Sequence, residues 1–228
     1  PNAKFTGYGA YENGYRLRYW YITPAIYKEG WQLMSNLNLD DLFEDYTTFN
    51  IELKIPKELT LTSSLKQIKQ RNQVFNTYLL NGKNEKDVIL DIQKKTTFKK
   101  FSTDTHEIQT DIFHKELNAS VTKDILNREL QFLTNYLGIL PADKILIDKV
   151  MLRKNPVYGL NQLPGFLRPF SDVFKYDLAL FKVLSRKYIK QTVLVNERED
   201  YWLIDGLQNY LMIEYVNKFY PKVKLLGK

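Results

Sequence analysis

The chain has no cysteine and only two histidines in 228 residues. Without cysteine there is no disulfide and no thiolate ligand for a metal. His106 and His114 lie in a segment with strand-like alternation. Their spacing there corresponds to ~26 Å along an extended chain, so they converge on one metal ion only if a tight turn intervenes. No run approaches the ~18 consecutive apolar residues of a membrane span, and no leader-peptide pattern opens the chain. A glycine-rich phosphate loop and the pattern of a nucleophile with its base are also missing, which removes those enzyme classes.

What is present describes a globular protein. The content is 44% hydrophobic and 26% charged, ordinary for a folded domain, and 14% aromatic, which predicts large packed surfaces. The length allows one or two domains with a sizeable core. The net charge of +7 is spread along the chain and no nucleic-acid motif accompanies it. Lys94-Lys95 and Lys99-Lys100 flank Phe98 and Phe101. That mixture predicts a solvated strand or hairpin, so no nucleic-acid partner is expected.

Periodicity divides the chain near residues 113–119. Before it, Tyr15 to Tyr21 and Tyr46 to Ile55 alternate with period two and are rich in β-branched and aromatic residues. Leu59 to Ser64, Val74 to Leu80, Asp87 to Ile92 and His106 to Phe113 are further expected strands. Thr23-Pro24, Pro56 and Asn81-Gly82 are the turn signals, the last predicting a hairpin. Several short strands at this spacing imply an antiparallel sheet or sandwich.

After it the period becomes helical. Ser120 to Leu137 reads as a helix with Ile125, Leu126, Leu130, Leu133 and Leu137 near one face, Ser120 or Thr122 as cap and Gly138 as stop. A strand from Lys144 to Leu152 follows Pro141. Then come a loop, a helix from Ser171 to Gln191 capped by Ser171 or Asp172, and a helix from Ile204 to Phe219 ended by Pro221. Capping is the preferred role for Asp172, over a joint role with Arg168 in docking a peptide terminus. Tyr188, Tyr201, Trp202, Tyr210 and Tyr215 are expected to pack in the core.

Two segments carry a resemblance. Trp202-Leu203-Ile204-Asp205-Gly206-Leu207-Gln208-Asn209-Tyr210-Leu211 resembles the W-L-N-E-G-F-A-x-Y-L segment that carries the third zinc ligand in the M1 (gluzincin) family of metallo-aminopeptidases. That family places H-E-x-x-H eighteen residues upstream, its two imidazoles one turn apart on a helix. The same count back from Asp205 lands on Lys182-Val183-Leu184-Ser185-Arg186, and Tyr188 stands where the family usually has Trp. Upstream, Tyr158 to Phe166 is similar to the family's G-A-M-E-N-P-G-L strand. Gly159, Leu160, Asn161 and Gln162 are its matching positions, with Asn161 or Gln162 in place of the Glu that binds a substrate's amino terminus. His106-Glu107-Ile108-Gln109-Thr110 begins like the zinc motif, but Thr110 holds the second histidine's position. Trp20 to Ala25 and Asp45 to Pro56 resemble the end of the family's amino-terminal β domain.

The resemblance implies an α+β chain: an antiparallel β domain (sandwich or saddle) over residues 1–115, incomplete, then a partial thermolysin-like mixed α/β lobe with paired helices over 116–228. It also implies a fragment of a larger polypeptide, since the chain opens on Pro1 and the family's transition-state tyrosine would lie beyond Lys228. Zinc is the family's cofactor. Here Lys182 and Arg186 offer only donors, and Val183 has no titratable group to replace the general base, so no metal or other cofactor is expected. The expected function is a non-catalytic module that binds a peptide or protein, or a scaffold. The alternative is a zinc aminopeptidase completed by residues outside this segment. Export or association with the cell envelope is implied by family analogy alone.

Two readings of Lys182 and Arg186 follow. Either they lie on a solvated stripe with Lys175, Ala179 and Lys190, or one of them pairs with Asp205 across two helices. Two neutral histidines, a glutamate and Zn²⁺ sum to +1, as do Lys, Arg and Asp. An ion pair is therefore the expected replacement for the metal.

Overall fold

The computed structural model describes residues 7–32, 44–71, 74–142, 144–154, 170–193, 195–197 and 199–223. Twelve strands and four helices are present among them, making the chain α+β. Contacts divide it into two compact units. The first comprises Pro1–Phe101, His106–Thr110 and Pro141–Leu146; the second comprises Ser102–Thr105, Asp111–Leu140 and Ile147–Lys228.

The strands are β1 (Gly9–Tyr11), β2 (Gly14–Leu17), β3 (Ile26–Tyr27), β4 (Trp31–Gln32), β5 (Thr47–Pro56), β6 (Thr60–Ser63), β7 (Lys66–Arg71), β8 (Phe75–Glu85), β9 (Leu90–Gln93), β10 (Lys99–Ser102), β11 (Glu107–Thr110) and β12 (Lys144–Ile147). They form sheets of order β1-β2-β9-β6, β5-β8-β7, β10-β11-β12 and the pair β3-β4. The first two sheets and the β3-β4 pair are antiparallel. Ile55, Leu61, Leu65, Tyr78, Leu80, Val88, Leu90 and Ile92 join into one apolar core of the first unit. Arg16 faces Asp91 across β2 and β9 at 2.8 Å, both buried, so the sheet carries its own neutralised pair.

The strand from Tyr15 stops at Leu17, because Tyr19 takes a positive φ of 53° that a strand does not accommodate. Asn81-Gly82 is no turn: β8 runs through it, with Gly82 opposite Phe49 of β5. A Cβ on Gly82 would stand 2.5 Å from Cδ2 of buried Leu65, so the glycine serves a close approach. Lys99 and Lys100 do lie on an exposed-sided strand, β10, with Phe98 and Phe101 turned inward.

The helices are α1 (Ala119–Leu137), α2 (Lys149–Lys154), α3 (Asp172–Thr192) and α4 (Tyr201–Phe219). Asn118, not Ser120 or Thr122, caps α1, its side chain accepting from Val121 N at 2.9 Å. Gly138 ends that helix at φ 81°. The expected strand over 144–152 breaks at Asp148, whose Oδ1 accepts from Met151 N at 2.9 Å and starts α2 instead. Ser171 caps α3 as expected, accepting from Phe174 N at 3.2 Å.

Aromatic residues join α1, α3 and α4. Phe181 stacks on Tyr215 at 4.1 Å, and Phe132 meets both rings edge-on at 5.6 and 5.3 Å. Each such pair adds about 0.5–1.5 kcal/mol beyond its buried area. Tyr188 is fully buried: its hydroxyl donates to Gly138 O at 2.5 Å, accepts from Leu140 N at 3.0 Å and bonds Thr134. Trp202 and Tyr210 depart from the expectation and are exposed, together with Leu203 and Ile213 on the outward side of α4. No described helix is long and apolar enough to cross a membrane.

Candidate functional site

The site is built on the facing sides of α3 and α4. Lys182 and Arg186 are four residues apart, so the 3.6-residue period puts them on one side of α3. That side is covered rather than wet. Lys182 is 8% exposed and Arg186 7%, which overturns the solvated-stripe reading for both; Lys175, Ala179 and Lys190 at its margin are partly exposed. Val183 is in the core.

Asp205 comes from the first turns of α4. Its Oδ1 accepts from Nη1 of Arg186 at 2.6 Å, so of the two expected partners it takes the arginine. The Asp205 side chain remains 47% exposed. One helical turn further, Gln208 accepts from the same Nη1 at 3.1 Å. Its own amide donates to Lys182 O at 2.5 Å and to Ser185 Oγ at 3.2 Å. The guanidinium carbon sits 4.7 Å over the ring of Tyr201, a cation–π contact. Arg186 is thus braced on three sides, by a carboxylate, an amide and an aromatic face.

The electrostatics follow from burial. Desolvation, then the charge of Arg186, lowers the pKa of Lys182 from its ordinary value, and Asp205 partly opposes them. Nη2 of Arg186 is buried and has no hydrogen-bond partner among the described residues. Gln208 and Tyr201 were missed in the sequence, although Gln208 lies at i+3 from Asp205 and so shares its side of the helix.

This donor set does not fit zinc. Arginine has no lone pair to give at neutral pH, a protonated lysine has none either, and valine has no donor atom. The carboxylate that could coordinate is already engaged by Arg186. Among the described residues no group of three or more His, Cys, Asp or Glu is arranged to hold a metal ion. His114 is turned to other uses, its Nδ1 accepting from Glu116 N at 3.3 Å and its ring lying against Tyr176. Gly159, Leu160, Asn161, Gln162 and Arg168 lie outside the described residues.

No protein-family model and no curated protein sequence matches the chain. Solved structures do. A variant of the M1 zinc metallopeptidase from Deinococcus radiodurans superposes with a TM-score of 0.50 at 14% identity, covering 77% of this chain and 42% of that one. The unsubstituted enzyme from the same organism gives 0.49 at 12% identity over the same shares. A two-domain M1 zinc metallopeptidase variant bound to L-arginine gives 0.49 at 12% identity. The chain spans about two-fifths of the length of these structures. At such identities the likeness is one of fold, and the fold is M1-metallopeptidase-like.

Proposed function

We propose that the chain is a non-catalytic, M1-peptidase-like module that binds a peptide or protein partner, with scaffolding as the minimal form of that role. One observation carries the reading. The position that the motif resemblance assigns to a zinc-binding histidine holds Arg186, engaged with Asp205 at 2.6 Å and with Gln208 at 3.1 Å. An ion pair joins the two helices there, and the position of the general base holds Val183. Shared fold does not bring activity with it when the reacting groups differ. On the same reading, residues 1–115 belong to the family's amino-terminal β domain and 116–228 to its thermolysin-like lobe. Exported or envelope-associated placement belongs to this proposal as well.

Metal content and turnover test it together. Protein purified without chelator is expected to contain far less than one equivalent of zinc and to release no amino acid from aminoacyl-p-nitroanilides. A peptide pool is expected to raise its melting temperature through preferential binding to the folded state. Near-stoichiometric zinc with hydrolysis would overturn the proposal in favour of an aminopeptidase completed from outside this segment.

A further inference from the structure

Resting on the peptide-binding reading above, we propose that the Lys182–Arg186–Asp205 cluster is a carboxylate-binding site, where a peptide's carboxylate displaces Asp205 from the guanidinium of Arg186.

Charge points to an anion. Lys182 and Arg186 are both less than a tenth exposed and one turn apart, while the carboxylate facing them is half in water. Two cationic groups so placed favour an anionic ligand over a neutral one. A carboxylate that takes the place of Asp205 on Arg186 keeps the charge there matched, while Asp205 gains full hydration in water.

Hydrogen bonding points to the same chemistry. A guanidinium presents its donors as a planar fork suited to both oxygens of a carboxylate. Asp205 engages Nη1, while buried Nη2 has no partner among the described residues. A ligand carboxylate bridging Nη1 and Nη2 makes two parallel bonds where Asp205 makes one.

The surrounding groups suit an exchange. Gln208 holds Nη1 from the inner side and is itself anchored on Lys182 O and Ser185 Oγ, while Tyr201 supports the guanidinium plane. Arg186 therefore keeps its place when Asp205 leaves. Asp205, at 47% exposure, rotates outward without dragging buried surface with it. Two sources supply such a group: a peptide's carboxyl terminus, or an internal Asp or Glu side chain.

Paired peptides distinguish them. Acetyl-Ala-Ala-Ala as free acid is compared with its carboxamide. Acetyl-Ala-Glu-Ala-amide is compared with its Gln counterpart. Binding is read by isothermal calorimetry and by thermal shift. The expected result is saturable binding by the acid of at least one pair and none by its neutral partner. Which pair responds names the source.

Asp205→Asn, at a half-exposed position, removes the competing carboxylate and is expected to tighten binding by about tenfold, the scale of one charge-assisted hydrogen bond. Arg186→Lys keeps the charge without the fork and is expected to lose it. Binding of acid and neutral peptides alike would remove the carboxylate site and leave peptide binding standing. No binding by any of the four, or weaker binding by Asp205→Asn, would also overturn the site. Should Arg186→Lys fail to fold, the sign of the Asp205→Asn effect still decides.

Discussion

The carboxyl group of Glu129 on α1 faces that of Asp177 on α3, and neither residue has any solvent exposure. Asp177 is well supplied: Arg128 and the Tyr220 hydroxyl engage Oδ2, and the Tyr215 hydroxyl donates to Oδ1 at 2.8 Å. Glu129 has no donor for either oxygen among the described residues. Two adjacent buried carboxylates beside one guanidinium would leave a net negative charge in the core. Burial first, then the charge of Asp177, pushes the Glu129 pKa well above the usual carboxylate range, with Arg128 opposing. A protonated Glu129 can donate to Asp177, which neither could do if both were ionised.

Stability should therefore fall as pH rises. Glu129 binds its proton more tightly folded than unfolded, so its stabilising contribution is complete below the ordinary carboxyl value of 4.5. It is lost progressively as pH climbs from there through the raised folded-state value, at up to about 1.4 kcal/mol per pH unit. Glu129→Gln removes the titration. Urea midpoints measured from pH 5 to pH 9 should show the substituted protein gaining on the parent with each step. Parallel curves would mean that Glu129 is not the proton holder.

Restoring the zinc ligands tests the alignment itself. A chain carrying Lys182→His, Arg186→His and Asp205→Glu places two imidazoles one turn apart on α3 opposite a carboxylate of α4. It is expected to bind about one equivalent of Zn²⁺ by calorimetry, where the parent binds none at this site. Failure to gain zinc in a variant that keeps its helical circular dichroism would show that the eighteen-residue register is misplaced.

Gly82→Ala puts a methyl group 2.5 Å from Leu65 Cδ2, and Leu65 is itself held in the core cluster. The Leu65 side chain or the β5–β8 pairing must then shift, at about 1–3 kcal/mol. A lower urea midpoint with an unchanged slope is expected. An unchanged midpoint would show that the leucine re-rotates freely.

Tyr188→Phe deletes one hydroxyl that serves Gly138 O, Leu140 N and Thr134 just after α1. The backbone groups it leaves behind are expected to cost about 1–3 kcal/mol in denaturant unfolding. Hydrogen exchange at Leu140 should speed up more than the global change accounts for.

Much of the helical unit was legible because its apolar residues recur at helical spacing and its ends carry local chemistry. Ser171 and Gly138 act where their side chain, or its absence, suits the backbone. The long strand β5 was legible from strict alternation. What escaped depended on contacts distant in sequence. Asn81-Gly82 carries the local signature of a turn, but the need for space beside Leu65 explains the glycine. Asp148 splits an apolar run because its carboxylate caps a helix that the run conceals. Lys182 and Arg186 were ambiguous, since periodicity says which residues share a side, not what lies against it. Glu129 sits in register with Ile125, Leu126 and Leu133, a polar residue on an apolar stripe, and that was a readable but unused sign of a buried pair.

The outward side of α4 bears on how the chain behaves in the tube. Trp202, Leu203, Tyr210 and Ile213 leave rings and branched methyls facing water, and the net charge of +7 opposes the approach of two copies through these sides. At 0.1 M ionic strength that repulsion fades beyond about 10 Å. Added salt is thus expected to drive clumping rather than relieve it, and dilute buffer is the gentler home for this molecule.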